Sequence, residues 1–172
     1  PEDHQGPRLE IPERSVSDRV TNFSEVALGF NLEMAKQEAS RCLNCKKPKC
    51  VEGCPVSVPI PQFIQLLLAG DILAAGKKIK EENALPRVCG RVCPQSDQCE
   101  GACILNRKNN PINIGALERF VADYYAENDA SKPQPVHTAK PHRVAMIGSG
   151  PAALSCAGDL AKAGCDVTVF EA

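Results

Sequence analysis

The chain has 172 residues, a formal net charge of −1, 43% hydrophobic and 4% aromatic residues and no Trp, so any core is aliphatic and modest. That length allows one ordinary domain, or a small domain plus a piece of another, and the near-neutral charge argues against a general nucleic-acid binder. No apolar run reaches membrane-spanning length, and the opening Pro-Glu-Asp-His lacks a signal-peptide pattern. The ten cysteines are therefore expected in a reducing, cytoplasmic setting, serving metal rather than disulfides.

Residues 1–30 are polar, with Pro1, Pro7 and Pro12. They predict an irregular arm with short turns, either wrapping a domain or partner or left as a loose terminus. Asn31 can cap a short helix running to Arg41, with Leu32, Met34, Ala35 and Ala39 as contact positions. Pro59-Ile60-Pro61 opens the next helix. Ile60, Phe63, Ile64, Leu67 and Leu68 fall on one stripe of it. Gly70 ends that helix and Asp71 caps another, with Ile72, Ala75 and Ile79 inward. Ser96 or Asp97 can cap a helical turn carrying Cys99 and Cys103, whose i, i+4 spacing puts both sulfurs on one face. Asn113 caps a longer helix with Ile114, Leu117, Val121, Tyr124 and Tyr125 along one side.

Two cysteine groups sit among these helices. The first reads Cys42-x2-Cys45-x4-Cys50-x3-Cys54-Pro55, and the second holds Cys89, Cys93-Pro94, Cys99 and Cys103. Eight thiols in two compact groups, each with a Cys-Pro pair, resemble the bacterial ferredoxin run with two residues added in one gap. The expectation is a pair of iron–sulfur clusters in an all-helical domain. Lys46, Lys47 and Lys49 punctuate the first group. They read as a solvated loop, as an offset to cluster charge, or as a greeting to an acidic partner.

Residues 129–142 are a linker by composition, with His137 and His142 read as solvent-exposed, and His4 given no stronger role. The period then changes. Residues 143–147 predict a buried parallel strand, followed by Gly148-Ser149-Gly150-Pro151-Ala152-Ala153, a helix to about Ala163, a Gly164 turn and a strand over 166–170 ending at Glu171. This is the opening of a dinucleotide-binding unit. Gly148 allows the tight turn, Gly150 lets backbone approach a pyrophosphate, and Ala153 permits close helix–strand packing. The helix N-terminus faces phosphate, and Glu171 would accept ribose hydroxyls. Cys156 and Cys165 read as small packing residues. Two strands and one helix cannot complete such a sheet, so a fragment of a longer polypeptide is expected.

The runs Glu38-Ala-Ser-Arg-Cys42-Leu-x-Cys45, Cys54-Pro55-Val, Cys89-Gly-Arg-Val-Cys93-Pro94, Cys99-Glu-Gly-Ala-Cys103, Pro111-Ile-Asn-Ile-Gly115-x-Leu-Glu118-Arg-Phe and Gly148-Ser-Gly150-Pro-Ala closely resemble the NADPH-dependent glutamate synthase small (β) subunit family. The same order occurs in the ferredoxin-NADP transhydrogenase large subunit and in the N-terminal region of dihydropyrimidine dehydrogenase. The resemblance spans roughly residues 20 to 172. It implies a mainly α fold: an α-helical ferredoxin-like domain (1–128) with two [4Fe–4S] clusters, a linker (129–142), and the first βαβ of a Rossmann-type FAD-binding domain (143–172). NADPH would bind in the part not present here, and the isolated segment is expected to be inactive.

Carried across residue by residue, the resemblance implies Cys42, Cys45, Cys50 and Cys103 around one cluster, and Cys54, Cys93 and Cys99 around the other. Cys89 satisfies the simple count for its fourth place. Glu118 matches the position where dihydropyrimidine dehydrogenase uses a glutamine, and is favoured. It has no basic partner at i±4, where Ile114 and Ala122 stand, and it lies beside core-facing Leu117. FAD would meet Gly148, Gly150, Pro151, Ala152, Ala153 and Glu171. No residue reads as a general acid, base or nucleophile. The implied work is electron relay to a glutamate synthase large subunit, or to another redox partner if the chain is of the transhydrogenase type, with Ile60, Ile64 and Leu117 among the shielding residues. No nucleic-acid or membrane partner is expected. A rival from another class is a structural zinc module, but only one C-x2-C hook is present.

Overall fold

The computed structural model describes residues 6–129 and 142–172. The chain divides into two units, Pro1–Asn128 and Asp129–Ala172, each taken by itself. Among the described residues no helix is long and apolar enough to cross a membrane. His4 and His137 lie outside the described residues, as does most of the 129–142 stretch; His142 is exposed.

The first unit is helical. It contains α1 (Val16–Arg19), α2 (Leu32–Ser40), α3 (Lys49–Glu52), α4 (Ile60–Leu68), α5 (Ile72–Lys80), α6 (Pro86–Val92) and α7 (Ile114–Asn128), with 3-10 turns at Gln95–Asp97 and Ile104–Lys108. The expected caps are in place. The side-chain oxygens of Asn31, Asp71 and Asn113 accept the amides of Met34 (2.9 Å), Ala74 (2.9 Å) and Ala116 (3.4 Å). Each such cap is worth about 1 kcal/mol.

The core lies where α4, α5 and α2 meet α7. Ile60, Phe63, Ile64 and Leu67 of α4 are buried, as are Ile72, Ala75 and Ile79 of α5. Each large apolar side chain so enclosed contributes about 1.5–3 kcal/mol. Five positions depart from the expected stripes: Leu32 and Tyr124 are exposed, and Met34, Leu68 and Tyr125 are only half-buried. The first turns of α7 are instead buried on nearly every side, Glu118 and Arg119 included. A helix enclosed all round must find partners for its polar residues.

Residues 98–102 form turns, not the expected helix, and Cys103 is extended. The backbone carbonyl of Gln95 takes the amides of Gln98, Glu100 and Gly101, which curls the chain tightly. Cys99 and Cys103 therefore do not share a helical face. Two glycines let this loop and α6 close on the rest. A Cβ on Gly53 would stand 2.7 Å from the Ala102 Cβ, and one on Gly90 would stand 2.7 Å from the Arg119 backbone nitrogen. Neither contact leaves room for a side chain.

The N-terminal arm wraps its own unit. An antiparallel bridge pairs Glu13 with Ala27, and Arg8 and Leu9 donate their amides to Asn110 and Glu38 (both 2.9 Å).

The second unit has β1 (Arg143–Ile147), α8 (Pro151–Lys162) and β2 (Asp166–Phe170). The strands are parallel, in register from Arg143↔Asp166 to Ile147↔Phe170. Residues 143–147 are not buried as expected: they alternate exposed and half-buried, with Ile147 82% exposed. No side chain of α8 is buried, and Cys156 is exposed rather than packed. One helix and two strands have too little surface to enclose side chains by themselves.

Candidate metal centre

The two sequence groups interleave in space. Cys42 and Cys45 leave the end of α2, with Asn44 (φ +44°) turning the chain between them, and Cys50 rides on α3. Cys103, from the distant turn, joins them. All four thiols line one cavity of about 340 Å³, backed by Ile60, Ile64, Ile112 and Ile114. Burial pushes the Cys50 thiol up to about 12, and the neighbouring sulfurs of Cys103, Cys42 and Cys45 push it the same way. The Cys42 thiol is raised by burial too, with Cys45 and Cys103 adding to it.

Around the second place Cys54, Cys89 and Glu118 act on Cys93, and Cys54 and Glu118 on Cys99. Burial raises Cys99 to about 12, with the charges of Glu100, Cys54 and Glu118 adding to it. Cys93 is raised to about 11 by burial, then by Cys89, Glu118 and Cys54. Burial lifts the Glu118 carboxyl to about 7, against a hydrogen bond from Asn83. Asn83 is itself buried and bridges both candidates for the fourth place. Its Nδ2 donates to Glu118 Oε1 at 2.7 Å, and its Oδ1 accepts from the Leu85 amide (2.9 Å) and the Cys89 thiol (3.6 Å). The charge of Glu118 acts on both Cys93 and Cys99, whereas Cys89 acts on Cys93 more strongly and is hydrogen-bonded to it.

The donor set fits iron–sulfur chemistry. All ten cysteines are free, and thiols raised by burial as Cys42, Cys50, Cys93 and Cys99 are keep their protons unless a cation replaces them. Backbone N–H groups of Asn44, Val51 and Glu100 donate to the sulfurs of Cys42, Cys50 and Cys99, the kind of bond that tunes such clusters. Among the described residues no three His, Cys, Asp or Glu side chains are arranged to hold one metal ion. Tetrahedral zinc needs its donors about 2.0–2.3 Å from a single point. The thiols of a cubane each take a different iron and stand further apart.

Two buried carboxylates, present in the quoted motif runs but given no role there, fix these loops. Glu38 accepts the Leu9 amide (2.9 Å), the Asn113 amide (2.8 Å) and the Arg41 guanidinium. Arg41 in turn donates to the carbonyls of Gly6 (2.9 Å) and Asn110 (2.8 Å). Glu100 accepts the Gly115 amide at 3.0 Å and pairs with Arg8 at 2.7 Å. Their only local signal was adjacency to Cys42 and Cys99.

In the second unit, Gly148 takes φ +92° and Gly150 precedes α8, whose first residues are Pro151, Ala152 and Ala153. A Cβ on either glycine would meet nothing within 4 Å. Glu171 accepts the Ser149 amide, which lowers its carboxyl. The loop residues and Glu171 are thus together at one end of the sheet.

Fold and site together define a helical iron–sulfur domain of the oxidoreductase class. The chain belongs to the family described as dihydropyrimidine dehydrogenase domain II, 4Fe–4S cluster, which matches residues 19–130. It is 40% identical over 162 residues to an Escherichia coli (strain K12) protein named as an oxidoreductase, UacF, covering 91% of this chain and 25% of that one. It is 37% identical over 164 residues to the glutamate synthase [NADPH] small chain of the same strain, covering 95% and 35%. Identity is also 37%, over 149 residues, to its NAD-dependent dihydropyrimidine dehydrogenase subunit PreT, covering 87% and 36%. The chain thus spans a quarter to about a third of the length of these relatives.

Proposed function

We propose that the first unit holds two [4Fe–4S] clusters and relays single electrons between a flavin and a partner subunit. The first cluster is held by Cys42, Cys45, Cys50 and Cys103, the second by Cys54, Cys93, Cys99 and Glu118. The observation that carries this reading is the crosswise meeting of the two segments: Cys103 lies with the first group and Cys54 with the second. When bound, the clusters supply one-electron exchange that needs no proton. The chain's own residues anchor the sulfurs, donate N–H bonds to them and, through Ile60 and Ile64, exclude water from one side.

For the second cluster's fourth place, the buried position of Glu118 and the reach of its charge to two of the three thiols support the carboxylate. Cys89→Ser should then keep both clusters, and Glu118→Ala should lose the second. The reverse pattern assigns Cys89.

The second unit begins an FAD site, with Gly148, Gly150, Pro151, Ala152 and Ala153 at the phosphates and Glu171 near the ribose. NADPH would be the electron source in the whole protein. The partner is a glutamate synthase large subunit. A dihydropyrimidine dehydrogenase-type partner is the second reading, favoured by equal identity to PreT. Anaerobic iron and sulfide analysis with low-temperature electron paramagnetic resonance tests the core claim. Near eight irons per chain and two interacting spins are expected; a colourless protein with stoichiometric zinc sinks it. Glutamate formation by the co-purified complex separates the partners.

A further inference from the structure

The two thiol sites differ in the charge that flanks them. Beside the second, Arg87 and Arg91 are paired with Asp123 (2.8 and 2.7 Å), and Arg91 also with Glu25 (2.7 Å). Beside the first, Lys46, Lys47, Arg107 and Lys108 are exposed, and among the described residues none of them forms an ion pair. Lys49 alone has a partner there, Glu52 at 2.5 Å. The two basic segments lie 60 residues apart in sequence, yet Lys47, Lys49 and Arg107 line the mouth of the same cavity as the four thiols. Two exposed apolar side chains, Leu43 (44%) and Ile104 (47%), line the same cavity.

A chain of net charge −1 that leaves four cations unpaired around one redox site has concentrated positive charge there. Self-neutralisation of a cluster would be served by cations folded inward, and these point to solvent. An apolar centre with a cationic rim is the anatomy of a transient protein interface that orients its partner by charge. We infer that the open side of the first site is a docking face for an acidic protein that exchanges single electrons, its own carrier meeting the surface between Leu43 and Ile104. This rests on the reading of Cys42, Cys45, Cys50 and Cys103 as an iron–sulfur site.

The transfer is one electron with no proton: the site is oxidised by one equivalent and the partner's carrier reduced by one. The test uses the anaerobically purified protein, reduced with dithionite and freed of excess, and two probes of similar potential, an acidic and a basic cytochrome c. Stopped-flow absorbance follows ferric haem becoming ferrous. The acidic cytochrome should be reduced about ten-fold faster at low salt, with the gap closing as salt rises. Lys46→Glu, Lys47→Glu and Arg107→Glu combined should reverse the preference with iron content unchanged; a shift in cluster potential changes the rates with both probes alike and not their ratio. If that variant does not hold iron, Arg107→Glu with Lys108→Glu carries the same expectation. Equal rates with both probes in the loaded wild type, or a preference untouched by charge reversal, overturn the docking face and leave the cluster assignment standing. So does tighter binding of single-stranded DNA or anionic vesicles than of the acidic cytochrome. Absence of iron from the wild type removes both.

Discussion

The two thiol sites are built from the same materials and closed by different means. The first is tied by a buried ion pair: Glu38 and Arg41, 0% and 3% exposed, bind the arm at Gly6 and Leu9 to the loop at Asn110 and Asn113. The second is joined to the arm through exposed Glu25, which meets Arg91 and the buried Arg119, and these meet half-buried Asp123. Buried pairs are costly to break because a lone charge remains in low dielectric. Exposed nets are screened and contribute little. The arm therefore ties the first site through buried Glu38 and Arg41, reaches Glu100 beside Cys99 of the second through Arg8, and adds an exposed link to the second at Glu25.

The largest expected effects are on metal content. Cys103→Ser should remove the first cluster and spare the second, so iron falls by about half; Cys99→Ser should do the converse. Electron paramagnetic resonance of each variant identifies the survivor. Total loss of iron from either variant would show that the sites assemble as one, and the comparison would fail at its root.

Next comes the buried tie. Glu38→Ala leaves Arg41 enclosed without its carboxylate, which should cost about 3–5 kcal/mol in anaerobic urea unfolding. Arm residues 6–9 should become protease-sensitive at the same time. A cost below about 1 kcal/mol, the value of a surface pair, would place Glu38 in the same class as Glu25.

At the second site the corresponding buried residue is neutral. Asn83→Ala strands the Leu85 amide and leaves Glu118 without its donor, an expected loss of about 1–3 kcal/mol. A residue that only filled space would change stability alone. As an orienting residue, Asn83 should also alter the spin signal of the second cluster and leave that of the first unchanged.

What the sequence made legible follows from what is local. The α4 stripe and the Asn31, Asp71 and Asn113 caps depend on neighbours within one or two turns, and they are where expected. Glu38, Asn83 and Glu100 draw their value from partners 15 to 92 residues away, which no helical period records. The turn at 98–102 was misjudged because i, i+4 spacing suits a helix, while Gly101 lies so close to the Ser96 carbonyl that a Cβ would stand 2.2 Å from it. The exposure of Ile147 and Phe170 was hidden for a related reason: a strand pattern promises burial only if something covers it. The pairing of cysteines into sites became readable through resemblance, since spacing alone does not reveal that the groups cross.

The smallest effect sharpens the contrast at its weak end. The Glu25 carboxyl is lowered by its hydrogen bond from Arg91, and by the charges of Arg119 and Arg91, against the opposing burial. A group depressed in the folded state stabilises above its unfolded value, here 4.5, and that contribution is lost as pH falls through the lower folded value. The clip it holds is the antiparallel bridge, where Arg14 donates to the Val26 carbonyl at 2.9 Å and Leu28 to the Pro12 carbonyl at 2.7 Å. At pH 6 the Glu25→Gln variant should exchange those two amides up to about five-fold faster than wild type, the equivalent of an exposed pair worth at most about 1 kcal/mol. The ratio should shrink towards one as pH drops below 4.5, and shrink likewise in high salt at pH 6. The amide of Leu9, which binds buried Glu38, should be indifferent to both changes. If Leu9 loosens together with Arg14 and Leu28, the arm opens as a single piece and the two sites share one closure.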